Sequence, residues 1–104
     1  MPNFVKAIDK DELQPGERAV IEFDDGLFIA VFRVGDQYFA IEDVCTHDDG
    51  PLGDGELDGH IVECPRHGGR FDVQTGEATQ FPAVKAVARY ETQIKDDGVY
   101  VDIA

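Results

Sequence analysis

Tryptophan is absent from this 104-residue chain, methionine occurs once, and cysteine only twice, at Cys45 and Cys64. One disulfide at most could form, so this is not a disulfide-stapled scaffold. Positive charge is scarce. Nine Lys and Arg stand against 22 Asp and Glu, a formal net charge of −13, which argues against nucleic acid and anionic membrane surfaces as partners. Long apolar runs are missing, since nothing approaches the roughly 18 residues of a membrane span. The start, Met1-Pro2-Asn3-Phe4-Val5-Lys6, lacks the charged and then apolar regions of a secretory leader. The expectation is a cytoplasmic protein with no membrane association. The length fits a single domain over residues 1–104. The acidic balance suits either plain solubility or steering towards a basic docking surface.

Convincing helical periodicity is missing as well. Short strand-like runs broken by turn signals take its place, which predicts an all-β domain. Phe4 to Ile8 is a candidate first strand, and Ala19, Ile21 and Phe23 alternate with Glu22 and Asp24. Asp25-Gly26 is a tight-reversal cue. Leu27 to Val34 is apolar throughout except for Arg33, which predicts a central strand. Further strands are expected at Tyr38–Ile41, Ile61–Cys64 and Arg70–Val73. Ala88, Tyr90, Thr92 and Ile94 alternate with charged and polar neighbours, as on one half-buried strand. Asp96-Asp97-Gly98 predicts a last hairpin into Val99, Val101 and Ile103.

The chemistry is concentrated at Cys45-Thr46-His47 and, after sixteen intervening residues, Cys64-Pro65-Arg66-His67. Two thiolates and two imidazoles delivered by two short loops make a four-ligand metal site. Zinc fingers and ribbons usually bring a cysteine pair in one loop. One Cys and one His per loop instead suits a binuclear iron–sulfur centre, with two Cys on one iron and two His on the other. A structural zinc domain using the same four residues is the alternative. The remaining histidine, His60, follows Asp58-Gly59 and is expected in a solvated turn.

These residues resemble the Rieske [2Fe-2S] signature, Cys-x-His followed by Cys-x-x-His. The resemblance extends through Leu52, Gly68-Gly69-Arg70-Phe71-Asp72, Thr75-Gly76 and Phe81-Pro82. It implies stacked antiparallel sheets, with one [2Fe-2S] cluster held at one tip between two loops. It also implies Cys45, His47, Cys64 and His67 as ligands, and a third, proline-containing loop at Pro82 that covers the cluster. Gly68 and Gly69 are expected to let the backbone approach closely and to aim amide donors at the cluster. Arg66 is expected on the surface. High-potential relatives carry a serine and a tyrosine where this chain has Gly69 and Phe71, and a loop-bridging disulfide where it has Gly50 and Arg66. The resemblance therefore implies a potential near the low end of the Rieske span of about −150 to +300 mV.

The length resembles the small ferredoxins that serve aromatic-ring dioxygenases. That likeness implies a monomeric electron carrier, not itself an enzyme, between a flavin-containing NAD(P)H-dependent ferredoxin reductase and a terminal non-haem iron oxygenase. With His60 as the one spare histidine, the chain lacks the two-His-one-carboxylate site that an oxygenase subunit needs. A small subunit of nitrite reductase, or an iron–sulfur assembly accessory protein, is the alternative within redox proteins.

Overall fold

The computed structural model describes residues 2–23, 26–46, 51–66 and 68–103. Among them run eleven short strands and a single 3-10 turn at Lys10–Glu12. The strands are β1 Phe4–Asp9, β2 Arg18–Phe23, β3 Leu27–Val34, β4 Gln37–Glu42, β5 Leu57–Asp58 and β6 Ile61–Glu63, then β7 Arg70–Asp72, β8 Ala78–Gln80, β9 Arg89–Tyr90, β10 Thr92–Lys95 and β11 Gly98–Asp102. They form three antiparallel sheets, ordered β1-β11-β10, β2-β3-β4-β9 and β5-β6-β7-β8. The expected all-β class of stacked antiparallel sheets is what forms.

The middle sheet explains the unbroken apolar run of β3. Alternate residues of a strand point to opposite faces. Ala30 and Phe32 of β3, with Ile41 of β4, lie in one buried cluster with side chains of the third sheet. Ile29 and Val31, with Tyr38 and Ala40, lie in a second cluster with Ile8, Val99 and Val101 of the first sheet. A strand covered on both faces reads as continuous hydrophobicity rather than alternation. Each fully buried Val, Ile or Phe among them contributes about 1.5–3 kcal/mol. Strand β3 is central, paired with β2 on one side and β4 on the other.

Turn chemistry agrees at the far end. Asp96 and Asp97 adopt positive φ angles of 50° and 64°, and Lys95 pairs with Gly98 across them. That is the two-residue reversal whose backbone twist matches the flanking strands. Asp25, of the Asp25-Gly26 cue, lies outside the described residues.

One expected strand divides in two. Tyr90 pairs with Ala40 in the middle sheet, whereas Thr92 pairs with Val101 in the first. The chain changes sheets at Glu91, and the Thr92 hydroxyl donates to the Tyr38 carbonyl oxygen at 2.7 Å to hold the crossing. Ile94, expected inward, is half exposed in consequence. Alternation reports a face, but it does not report which sheet the face belongs to. Strand β8, Ala78-Thr79-Gln80, carries no apolar alternation and has no counterpart in the sequence analysis.

Candidate metal centre

Cys45 lies three residues beyond the end of β4, and Cys64 directly follows β6. Both are buried, at 1% exposure each, and neither is in a disulfide. They belong to the same apolar cluster, together with Phe32 and Ile41 from the middle sheet, Val62 and Phe71 from the third sheet, and Leu52 from the loop between β4 and β5. Two buried thiols in one apolar cluster are a donor set that fits a shared thiophilic metal centre. His47 and His67 lie outside the described residues, as does Gly50. Among the described residues no three His, Cys, Asp or Glu side chains group as a metal site.

The second loop is closed by its own backbone. The Cys64 amide donates to the Gly69 carbonyl oxygen at 2.6 Å, and the Gly68 amide donates to the Cys64 carbonyl oxygen at 3.1 Å. Gly68 sits at φ +77°, in the left-handed region that favours glycine. Its amide is thus committed to Cys64, which corrects the expectation that this donor is aimed at the cluster. Gly69 meets its expectation of close approach: a Cβ there would lie 3.0 Å from the Ala83 Cβ and 3.2 Å from the Ala83 nitrogen.

The segment after β8 approaches both cysteine loops. Its Phe81-Pro82 peptide bond is cis, Pro82 is half-buried and Ala83 is buried against Gly69. The Thr46 hydroxyl donates to the Lys85 carbonyl oxygen at 2.5 Å. The Gln80 side-chain amide reaches the Gly68 carbonyl oxygen at 3.4 Å, and the Val87 amide donates to the Gly76 carbonyl oxygen at 2.8 Å. The described parts of the three loops are therefore tied together. Sequence reasoning located Pro82 but missed the Thr46–Lys85 bond, because a contact between residues 39 positions apart leaves no local pattern.

The return from the first loop is equally tight. The Gly53 amide donates to the Asp43 carboxylate at 2.6 Å, and the Gly53 carbonyl accepts from the Arg18 guanidinium at 2.6 Å. A Cβ on Gly55 would run into the carbonyl oxygen of Glu63, the residue before Cys64. Phe71, fully buried, brings no hydroxyl to this region. Arg66 is exposed, as expected. His60 is only half-buried in its turn, and its ring stands edge-on to Phe39 at 5.3 Å, a packing contact.

The Rieske [2Fe-2S] domain family matches residues 3–91. "Ferredoxin CarAc" of Metapseudomonas resinovorans is 39% identical over 98 residues, 94% of this chain and 92% of that protein. Among solved structures, a complex of reduced oxygenase and oxidised ferredoxin in carbazole 1,9a-dioxygenase superposes with a TM-score of 0.92 at 38% identity, covering 95% of this chain and 92% of the matched one. A candidate NADH-dependent nitrite reductase small subunit from Mycobacterium tuberculosis superposes at a TM-score of 0.87 over 100% of this chain and 97% of that one. At 23% identity it shares the fold alone.

Proposed function

We propose that this chain, which belongs to the Rieske [2Fe-2S] domain family, is a one-electron carrier that delivers electrons to a terminal non-haem iron oxygenase. Its relatives support this: one is named a ferredoxin, and another forms a complex with the oxygenase of a carbazole dioxygenase. In this reading the donor is a flavin-containing NAD(P)H-dependent reductase, and the chain is a monomeric, cytoplasmic single domain. It is a component of a multicomponent oxygenase system rather than its catalyst.

Cys45 and Cys64 would hold one iron as thiolates, and His47 and His67 the other. The bound group supplies a reversible one-electron couple. The chain's own part is to exclude water from the thiolates and to fix the loops. The burial of Cys45 and Cys64 in one apolar cluster is the observation that carries this assignment. No helix of the described residues is long and apolar enough to cross a membrane, in keeping with a freely diffusing carrier.

The test is iron and sulfide analysis of the purified protein, followed by EPR of the dithionite-reduced form. A rhombic Rieske-type signal, lost in Cys45→Ser and Cys64→Ser, is expected. Stoichiometric zinc with no colour and no signal would replace the carrier by a structural metal domain.

A further inference from the structure

Gly53 is gripped through both of its backbone polar groups. Its amide donates to the Asp43 carboxylate, and its carbonyl oxygen accepts from the Arg18 Nε–H, each at 2.6 Å. Both side chains are mounted on the middle sheet. Arg18 opens β2 and pairs with Phe32 of β3. The Asp43 amide, just beyond β4, donates to the Phe28 carbonyl oxygen of β3 at 2.9 Å. A Cβ on Gly53 would run into the Val20 side chain and lie 3.1 Å from the Asp43 Oδ1. Glycine here is therefore what lets β2 and the chain beyond the first cysteine loop close on each other.

The Asp43 bond spans ten positions and closes residues 43–53 into a ring. That ring contains Cys45 and, in the sequence, His47. Leu52, next to Gly53, is fully buried, but burial has no direction. The bonds from Asp43 and Arg18 supply direction, because they hold Gly53 in one orientation against the middle sheet. Hydrogen bonds with an ionised partner are about twice as strong as neutral ones. Gly53 is itself buried, so losing either partner leaves a backbone group short of a bond away from water.

We infer that Arg18 and Asp43 are positioning residues for the cluster. Acting through Gly53, they fix the ring that presents Cys45 and His47, and so set the geometry at the metal as well as the stability of the fold. This rests on the cluster assignment above, and neither side chain is among the assigned ligands.

The experiment compares wild type, R18M, D43A and R18M/D43A, each carrying its cluster. Anaerobic cluster loss to excess EDTA is timed well below the unfolding transition. EPR of the dithionite-reduced proteins reads the geometry at the iron. Each single variant removes one bond to Gly53, so cluster loss is expected to quicken about tenfold. A less fixed ring spreads the ligand geometry, so the EPR line should broaden alike in both. R18K and D43N, which keep a donor and an acceptor, should recover most of the loss. The double variant should be no faster than the quicker single variant, because both side chains act through one residue.

Arg18 and Asp43 carry opposite charges. A plain charge effect would move the midpoint potential in opposite directions in R18M and D43A, with no broadening of the line, and that result overturns the assignment. Wild-type rates in both single variants overturn it, as do effects that multiply in the double variant. Faster loss that only follows the fall in global unfolding free energy, with a wild-type EPR line, would make the grip a fold-stabilising contact and also overturns it. If R18M does not fold, D43A against D43N decides on the same readouts. Wild-type protein without a Rieske signal would fail the cluster assignment instead, a result that does not depend on the variants.

Discussion

The Thr46 hydroxyl bonds to the Lys85 carbonyl oxygen at 2.5 Å and so ties the residue after Cys45 to a loop 39 positions further along the chain. Thr46→Val keeps the shape and removes the donor. It is expected to lower unfolding free energy by about 1 kcal/mol, measured by denaturant titration of the cluster-containing protein. Cluster bleaching under air should also quicken. Thr46→Ser keeps the hydroxyl and should behave like wild type. Equal bleaching rates for all three proteins would show that the bond does not guard the site.

Gly55 and Gly16 differ in what a side chain would meet. A Cβ at Gly55 collides with the Glu63 backbone, whereas one at Gly16 meets nothing within 4 Å but sits at φ +90°. Gly55→Ala should therefore cost about 3 kcal/mol through overpacking and reduce the recovered iron content, because it pushes on the strand that leads into Cys64. Gly16→Ala should cost about 1 kcal/mol of backbone strain and leave the iron content unchanged. Thermal unfolding and iron analysis together separate the two.

Phe71 is fully buried in the cluster of residues that contains both cysteines. No hydroxyl comes from Phe71 or Gly69, so the midpoint potential is expected below about +100 mV within the Rieske span of about −150 to +300 mV. Hydrogen bonds to cluster sulfurs raise potential. Phe71→Tyr should raise it by tens of millivolts, comparable with the roughly 59 mV that equals a tenfold change for one electron. Redox titration with EPR detection reads both values, and an unmoved potential in the variant would remove Phe71 from the argument. Gly69→Ser is a poorer probe, because Ala83 leaves its side chain little room.

At alkaline pH two groups act in the same direction. Burial, and then the Glu42 charge, hold the Tyr90 phenol above its ordinary value of 10.0. The Asp9 hydrogen bond, and then its charge, hold Lys6 above 10.5. In each case the unfolded chain releases its proton first, so the native state binds more protons in that window. Stability is full below about pH 10 and falls as pH rises towards the native pKa values. Tyr90→Phe should make the fall shallower in denaturation curves between pH 9 and 12. Lys6 stands at the surface, where water screens its pairing with Asp9, so Lys6→Met should change it only slightly.

The sequence by itself determined the all-β class, the central β3, the Asp96-Asp97 hairpin and the positions of both cysteines. Each is a local signal: a period of two, an apolar run, a residue type that tolerates positive φ, or a short spacing between ligand-type side chains. Which sheet each strand joins was decided only in three dimensions. The split at Glu91 shows why. Tyr90 and Thr92 have the same alternation phase, yet their partners, Ala40 and Val101, lie in different sheets. Tertiary structure also decided that the Gly68 amide serves Cys64, that Gly69 makes room for Ala83, and that Thr46 reaches Lys85. Composition and periodicity carry information about neighbours along the chain. The site is built from residues brought together across it, where backbone hydrogen bonds and close packing select the partners.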